Sequence, residues 1–162
     1  MEYARKALEL SQKAEYEYGM IISFGNIGLV YRHQGEYSRA AEYYQKALEI
    51  AEKLGDVMEI SICLNNFGEI NREQGNYPKA LEFYQKSLSL IEEMDDRLAI
   101  ARCLNNIGII CLNQDDKTKA ISYYKSSLKI FEELDNKQGT ASCLHNIGVI
   151  YNQKMKYEEA LI

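Results

Sequence analysis

Small and apolar residues recur along this chain on two scales. Within short windows they fall three and four residues apart, as in Leu64, Phe67, Gly68 and Asn71, and again in Ala80, Phe83, Tyr84, Ser87, Leu88 and Ile91. That spacing marks one face of an α-helix. On the longer scale the pattern returns every forty residues, with Asn26-Ile27-Gly28 followed by Asn66-Phe67-Gly68, Asn106-Ile107-Gly108 and Asn146-Ile147-Gly148. A second series follows each of these: Ala40, Ala80, Ala120 and Ala160, then Tyr44, Tyr84 and Tyr124, then Leu48, Leu88 and Leu128. Each period therefore reads as a pair of amphipathic helices, one repeat in a stack whose core is completed by its neighbours.

Turn and cap residues agree with that division. Gly35, Gly75 and Asp115 stand where the first helix of a pair ends, and Asn76 and Asp116 are placed to cap the next. Pro78 falls in a first helical turn, where its missing N–H costs nothing. Gly55-Asp56, Asp95-Asp96 and Asp135-Asn136 separate one pair from the next. The spacing predicts helices over about 3–14, 18–34, 37–53, 57–74, 77–93, 97–114, 117–134, 137–154 and 157–162. The fold class is all-α, a right-handed α-solenoid of antiparallel helix pairs. It is expected to be a single solenoid over 1–162, with an orphan second helix at 1–14, repeats at 17–54, 57–94 and 97–134, and a truncated repeat at 137–162. Met1-Glu2 and Leu161-Ile162 both align with Ala41-Glu42, so the expectation is a piece of a longer array. The repeated glycines, costly inside a helix by about 1 kcal/mol, are expected opposite Ala40, Ala80, Ala120 and Ala160, small against small.

These residues resemble the tetratricopeptide repeat. Its W-x2-L-G-x2-Y then A-x3-F pattern reads here as Phe24-x2-Ile27-Gly28-x2-Tyr31 then Ala40-x3-Tyr44. The later repeats give Leu64-x2-Phe67-Gly68 with Ala80-x3-Tyr84, Leu104-x2-Ile107-Gly108 with Ala120-x3-Tyr124, and Leu144-x2-Ile147-Gly148-x2-Tyr151 with Ala160. The period is forty rather than the usual thirty-four, no proline closes each repeat, and Leu mostly replaces the aromatic before Ile-Gly. The longer period resembles the long-helix variant of kinesin light chain, Pins-type polarity adaptors and bacterial regulators.

The resemblance implies a binding site. On each first helix one stripe faces neither its partner nor the next repeat, and in similar proteins that stripe lines a concave groove for peptides. Here it reads Ile22, Gly25, Leu29, Arg32, His33; then Ile62, Asn65, Glu69, Arg72, Glu73; then Arg102, Asn105, Ile109, Leu112, Asn113; then Ser142, His145, Val149, Asn152, Gln153. The candidate groove residues are Arg32, Asn65, Glu69, Arg72, Arg102, Asn105, Ile109, Leu112, His145, Val149 and Asn152. Asn65 and Asn105 offer a donor and an acceptor, which suits a peptide backbone; the other reading is of solvated polar residues. Arg32, Arg72 and Arg102 either receive carboxylates of an acidic ligand or pair with Glu69 and Glu73 on the same face. The stripe leads one to expect charged ligand residues near the first two repeats and apolar ones near the last two. Asn26, Asn66, Asn106 and Asn146 lie beside the stripe, where hydrogen bonds between repeats are expected.

Other chemistry finds little support. Cys63, Cys103 and Cys143 form a ladder at forty-residue spacing whose first rung is Ser23; packed helices stand roughly 8–10 Å apart, too far for a disulfide. Cys111 replaces Tyr31 and Tyr151, so it reads as core. His33 and His145 lie three repeats apart and no C-x2-C pair exists, so no metal site or cofactor is expected. The thirteen tyrosines fall mostly at repeat-consistent core positions rather than as stacking platforms, and "GNIGLV" lies within a helix and cannot cradle phosphate. A net charge of -5 argues against nucleic-acid binding. No apolar run approaches the ~20 residues of a membrane span, and the charged opening "MEYARKALELSQKAEYEYG" is no signal peptide. A soluble, cytoplasmic chain without enzymatic activity is expected, a scaffold or adaptor that binds a protein or peptide ligand in its groove. The alternatives are a sensor domain of a larger signalling protein and a self-assembling module, in which the helix at 3–14 of one copy continues the stub at 157–162 of another.

Overall fold

A left-handed residue interrupts the helices about every twenty positions: Glu15, Gly35, Gly55, Gly75, Asp95, Asp115 and Asp135 all have φ between 49° and 75°. Glycine and aspartate tolerate this conformation best. The residue after each one sends its N–H back to a carbonyl five positions earlier: Tyr16 to Ser11, Glu36 to Tyr31, Asp56 to Ala51, Asn76 to Asn71, Asp96 to Ile91, Asp116 to Cys111 and Asn136 to Phe131, at 2.8–3.3 Å. That bond closes the helix end. The side chains of Asp56, Asp96 and Asp116 then accept the N–H of the third residue of the next helix at 3.0 Å, and Asn136 does the same at 2.8 Å. One helix is thus terminated and the next begun within three residues.

The chain is described here by a computed structural model covering residues 1–160, with side chains through Gln153. Eight helices result among the described residues: α1 (Glu2–Lys13), α2 (Glu17–His33), α3 (Tyr37–Leu54), α4 (Val57–Glu73), α5 (Tyr77–Glu93), α6 (Arg97–Asn113), α7 (Lys117–Glu133) and α8 (Lys137–Ala160). Seven match the sequence expectation to within a residue. The eighth does not stop near 154. Position 155 is Met where the earlier first helices reach Gly35, Gly75 and Asp115, so the residue that breaks the helix is missing and α8 runs on. Leu161 and Ile162, the end of the stub expected at 157–162, lie outside the described residues.

Two compact units form, Met1–Leu90 and Ile91–Ile162. In the first, Ile27, Tyr31, Ala40, Tyr44 and Ile70 make one buried cluster, and Ile21, Phe24, Ala47, Ala51 and Cys63 another. In the second, Ala101, Phe131 and Cys143 pack with Leu98, Leu128 and Ile130. Buried serines tie the second helix of a pair to the first: Ser87 donates to the Ser61 carbonyl at 2.9 Å and Ser127 to the Ala101 carbonyl at 2.7 Å. These are satisfied donors inside an apolar seam.

The glycines face something other than alanine. A Cβ placed on Gly28, Gly68 or Gly108 would lie 2.5, 2.6 or 2.7 Å from the ring of Tyr44, Tyr84 or Tyr124. All three tyrosines are fully buried. The close approach is therefore glycine backbone against a large ring, which lets a tyrosine fill the helix crossing.

The four cysteines are free and buried. Burial pushes the Cys63 and Cys103 thiols up to about 12, and buried thiols are poor nucleophiles. Labelling with an aromatic disulfide reagent at mildly alkaline pH is expected to find essentially none of the four in the folded chain and all four in denaturant. Rapid labelling of any one without denaturant would show that its seam opens locally.

Candidate functional site

The candidate stripe runs along α2 and α4 in the first unit and along α6 and α8 in the second. In the first unit Arg32 of α2 meets Glu69 of α4 at 3.0 Å, while Arg72 reaches the same Glu69 oxygen at 2.7 Å. Glu73 lies 3.6 Å from Arg32 and 3.3 Å from Arg72. The second oxygen of Glu69 accepts the Tyr84 hydroxyl at 2.7 Å. Burial pushes the Glu69 carboxyl up, but hydrogen bonds from Arg72 and Tyr84 and the charges of both arginines outweigh it, so the carboxyl titrates below the ordinary 4.5. Two cations and two anions thus neutralise one another on a half-buried face. Of the two uses the sequence left open for Arg32 and Arg72, the structure has them paired within the chain. The fit is incomplete, since the Nε atoms of both arginines are buried without a partner.

Only one of the three core tyrosines gains from this network. Tyr44 and Tyr124 keep buried hydroxyls without a partner, because the position held by Glu69 is Leu29 in the first repeat and Ile109 in the third. Burial pushes both of their phenols up to about 12.

Asn65 is half-buried on α4. In the second unit Asn105 is also half-buried, and its oxygen accepts from Asn146 at 3.2 Å, with the Cys143 thiol at 3.8 Å. Two neighbours on α8 therefore fix which end of the amide is the acceptor. Arg102 is exposed and has no acidic partner among the described residues. It shares with Asn105, Gln138 and Ser142 a polar depression of about 220 Å³ at the α6/α8 seam. Ile109, Leu112 and Val149 are half-buried, while His145 and Asn152 are exposed.

The corresponding seam of the first unit, between α2 and α4, has the opposite character. A depression of about 280 Å³ is lined by Ile22, Gly25, Leu29, Ile62 and Cys63, with Glu59 and the amides of Asn26 and Asn66. Ile22, Leu29 and Ile62 are 54%, 37% and 44% exposed. The lining of the first unit's depression is thus mainly apolar and that of the second mainly polar. Glu59 was absent from the candidate residues. Its signal was available, since positions 19, 99 and 139 hold Gly, Ala and Gly where this repeat holds a carboxylate.

A sequence profile of the tetratricopeptide repeat matches residues 2–53 and 59–133. The chain belongs to the tetratricopeptide repeat family. Its fold is an all-α solenoid of helix pairs, and tetratricopeptide repeats are scaffolds for protein interaction, so the chain is a protein-interaction module. Solved structures with similar folds include a Rap protein complexed with competence and sporulation factor, at 22% identity and a TM-score of 0.85, covering 99% of this chain and 45% of that one. BtubC (BKLC) from P. vanneervenii is similar at 21% identity and a TM-score of 0.76, covering 97% of this chain and 68% of its own. The N-terminal domain of stress-induced protein-1 from C. elegans is similar at 19% identity and a TM-score of 0.61, covering 81% and 97%. Among curated proteins, none matches the chain. No helix among the described residues is long and apolar enough to cross a membrane, and no group of three or more His, Cys, Asp or Glu residues there is placed to hold a metal ion.

Proposed function

We propose that this tetratricopeptide repeat chain binds an extended peptide segment of a partner protein along the stripe of its first helices. The observation that supports this reading is what the stripe leaves unspent. Exposed Ile22, Leu29 and Ile62 line a depression in the first unit, and Arg102 lines one with the oriented amide of Asn105 in the second. Each depression lies at a seam between successive first helices, where side chains from two helices converge. Apolar surface supplies affinity there, and fixed amides supply partners for the ligand backbone. The helices are held by their own cores, so the ordering cost falls mainly on the ligand. The Rap protein of similar fold, solved with a factor bound, is consistent with such a use of the architecture.

The test is affinity capture from a cell extract with the immobilised chain, comparing the native sequence with Asn65→Ala/Asn105→Ala, the fold of each checked by circular dichroism. Proteins retained by the native chain and lost from the folded double variant are the expected result. Retention of the same proteins by both would place binding elsewhere.

A further inference from the structure

Between the third and fourth helices of the first unit, one pair of substitutions changes what the seam can hold. In the second unit Phe131, at the end of α7, presses on Gly139 at the start of α8, and a Cβ on that glycine would fall 2.4 Å from the ring. Forty and eighty residues earlier the same pair of positions is Ile91 with Ala99 and Ala51 with Glu59. At Ala51 the residue at the end of the second helix is small and a carboxylate stands opposite it; the first pair of the series, Ser11 with Gly19, is small on both sides, but there the Tyr16 ring takes the space a side chain would need. The Glu59 carboxylate lines the apolar depression formed by Ile22, Leu29 and Ile62.

Glu59 has no cation to meet. No lysine or arginine lines the depression, and Glu59 makes no ion pair among the described residues. The nearby Asp56 is already engaged, accepting the Tyr18 hydroxyl and the Glu59 backbone N–H. Burial first, then the charge of Asp56, pushes the Glu59 carboxyl above its ordinary value. A half-buried, unpaired carboxylate beside exposed aliphatic side chains is complementary to one chemistry, a cation at the end of an alkyl stem.

We propose that this depression is a subsite for a lysine or arginine side chain of the bound segment, its stem lying on Ile22 and Ile62 and its charged end at Glu59. The proposal rests on the peptide-binding reading and adds to it the identity of one ligand residue. A volume of about 280 Å³ accommodates one long side chain rather than a folded surface. Pairing inside a partly dehydrated seam is stronger than on an open surface, because the carboxylate has already lost part of its water.

A bead-bound library of short N-acetylated, C-amidated peptides, screened against the full chain, tests this. Lysine or arginine is expected at one position of the binders. Replacing that residue in a binder by norleucine, which keeps a stem without the charge, should weaken binding to the native chain about tenfold and to Glu59→Gln hardly at all. Binders that depend on Asn65 and Asn105 but carry no basic residue, or bind Glu59→Gln as tightly as the native chain, would overturn the subsite and leave the groove. Binding at Glu59 only by peptides with a free N-terminal amine would overturn the side-chain assignment. If no peptide binds, the groove reading fails and the subsite with it.

Discussion

Gly68→Ala is expected to destabilise the chain by about 2 kcal/mol, although alanine is the better helix former by about 1 kcal/mol. The added methyl would sit 2.6 Å from Cε1 and 2.8 Å from Cδ1 of Tyr84. That ring is fully buried, and its hydroxyl is held by Glu69, so it cannot swing aside as an exposed side chain would. Either α4 moves off α5 or the ring leaves its rotamer, and both disturb close packing. Gly25→Ala is the matched control, because its new methyl meets nothing within 4 Å; there the propensity gain should show as an increase of roughly 0.5–1 kcal/mol. Denaturant midpoints of the two variants should therefore move in opposite directions. A Gly68→Ala midpoint equal to or above the native one would mean that the crossing is loose enough to absorb a methyl.

Glu69→Ala should cost about 3 kcal/mol, because it removes the anion shared by Arg32, Arg72 and Tyr84 and leaves two partly buried guanidinium groups with too few partners. The loss should depend on pH in a definite direction. The Glu69 carboxyl titrates below 4.5 in the folded chain and at its ordinary 4.5 when unfolded. Its contribution is therefore fully present above 4.5 and is lost as pH falls through the lower, folded value. The native chain and Glu69→Ala should differ most near neutrality and converge in acid, as read by thermal melts across a pH series. A gap that stays constant as pH falls would mean that packing of the side chain, and not its charge, is what the network contributes.

These two sites show different degrees of legibility. Helix positions could be read closely because each boundary rests on a local device: a glycine or aspartate in the left-handed conformation, an Asx cap, and apolar residues at helical spacing. Each device acts over a few residues, and repetition at forty-residue intervals removed chance matches. The crossing of Gly68 with Tyr84 was misread as glycine against alanine because spacing along two helices gives the faces that meet but not which side chain crosses the contact point. The charges of the stripe were legible as residues and not as pairs. Arg32 and Glu69 are thirty-seven residues apart, and nothing local says whether a surface arginine turns toward its neighbour or toward a ligand.

The sequence by itself determined the repeat, the helix pairs and the family, since all of these follow from short-range periodicity and backbone preference. Only the tertiary structure decided that Arg32, Glu69 and Arg72 are spent on one another, that Asn105 is oriented by Asn146, and that Glu59 stands unpaired in an apolar seam. The physical reason is that polarity at a site depends on which groups satisfy each other across helices. That balance is set by side-chain geometry at ångström scale, and the order of residues along the chain does not carry it.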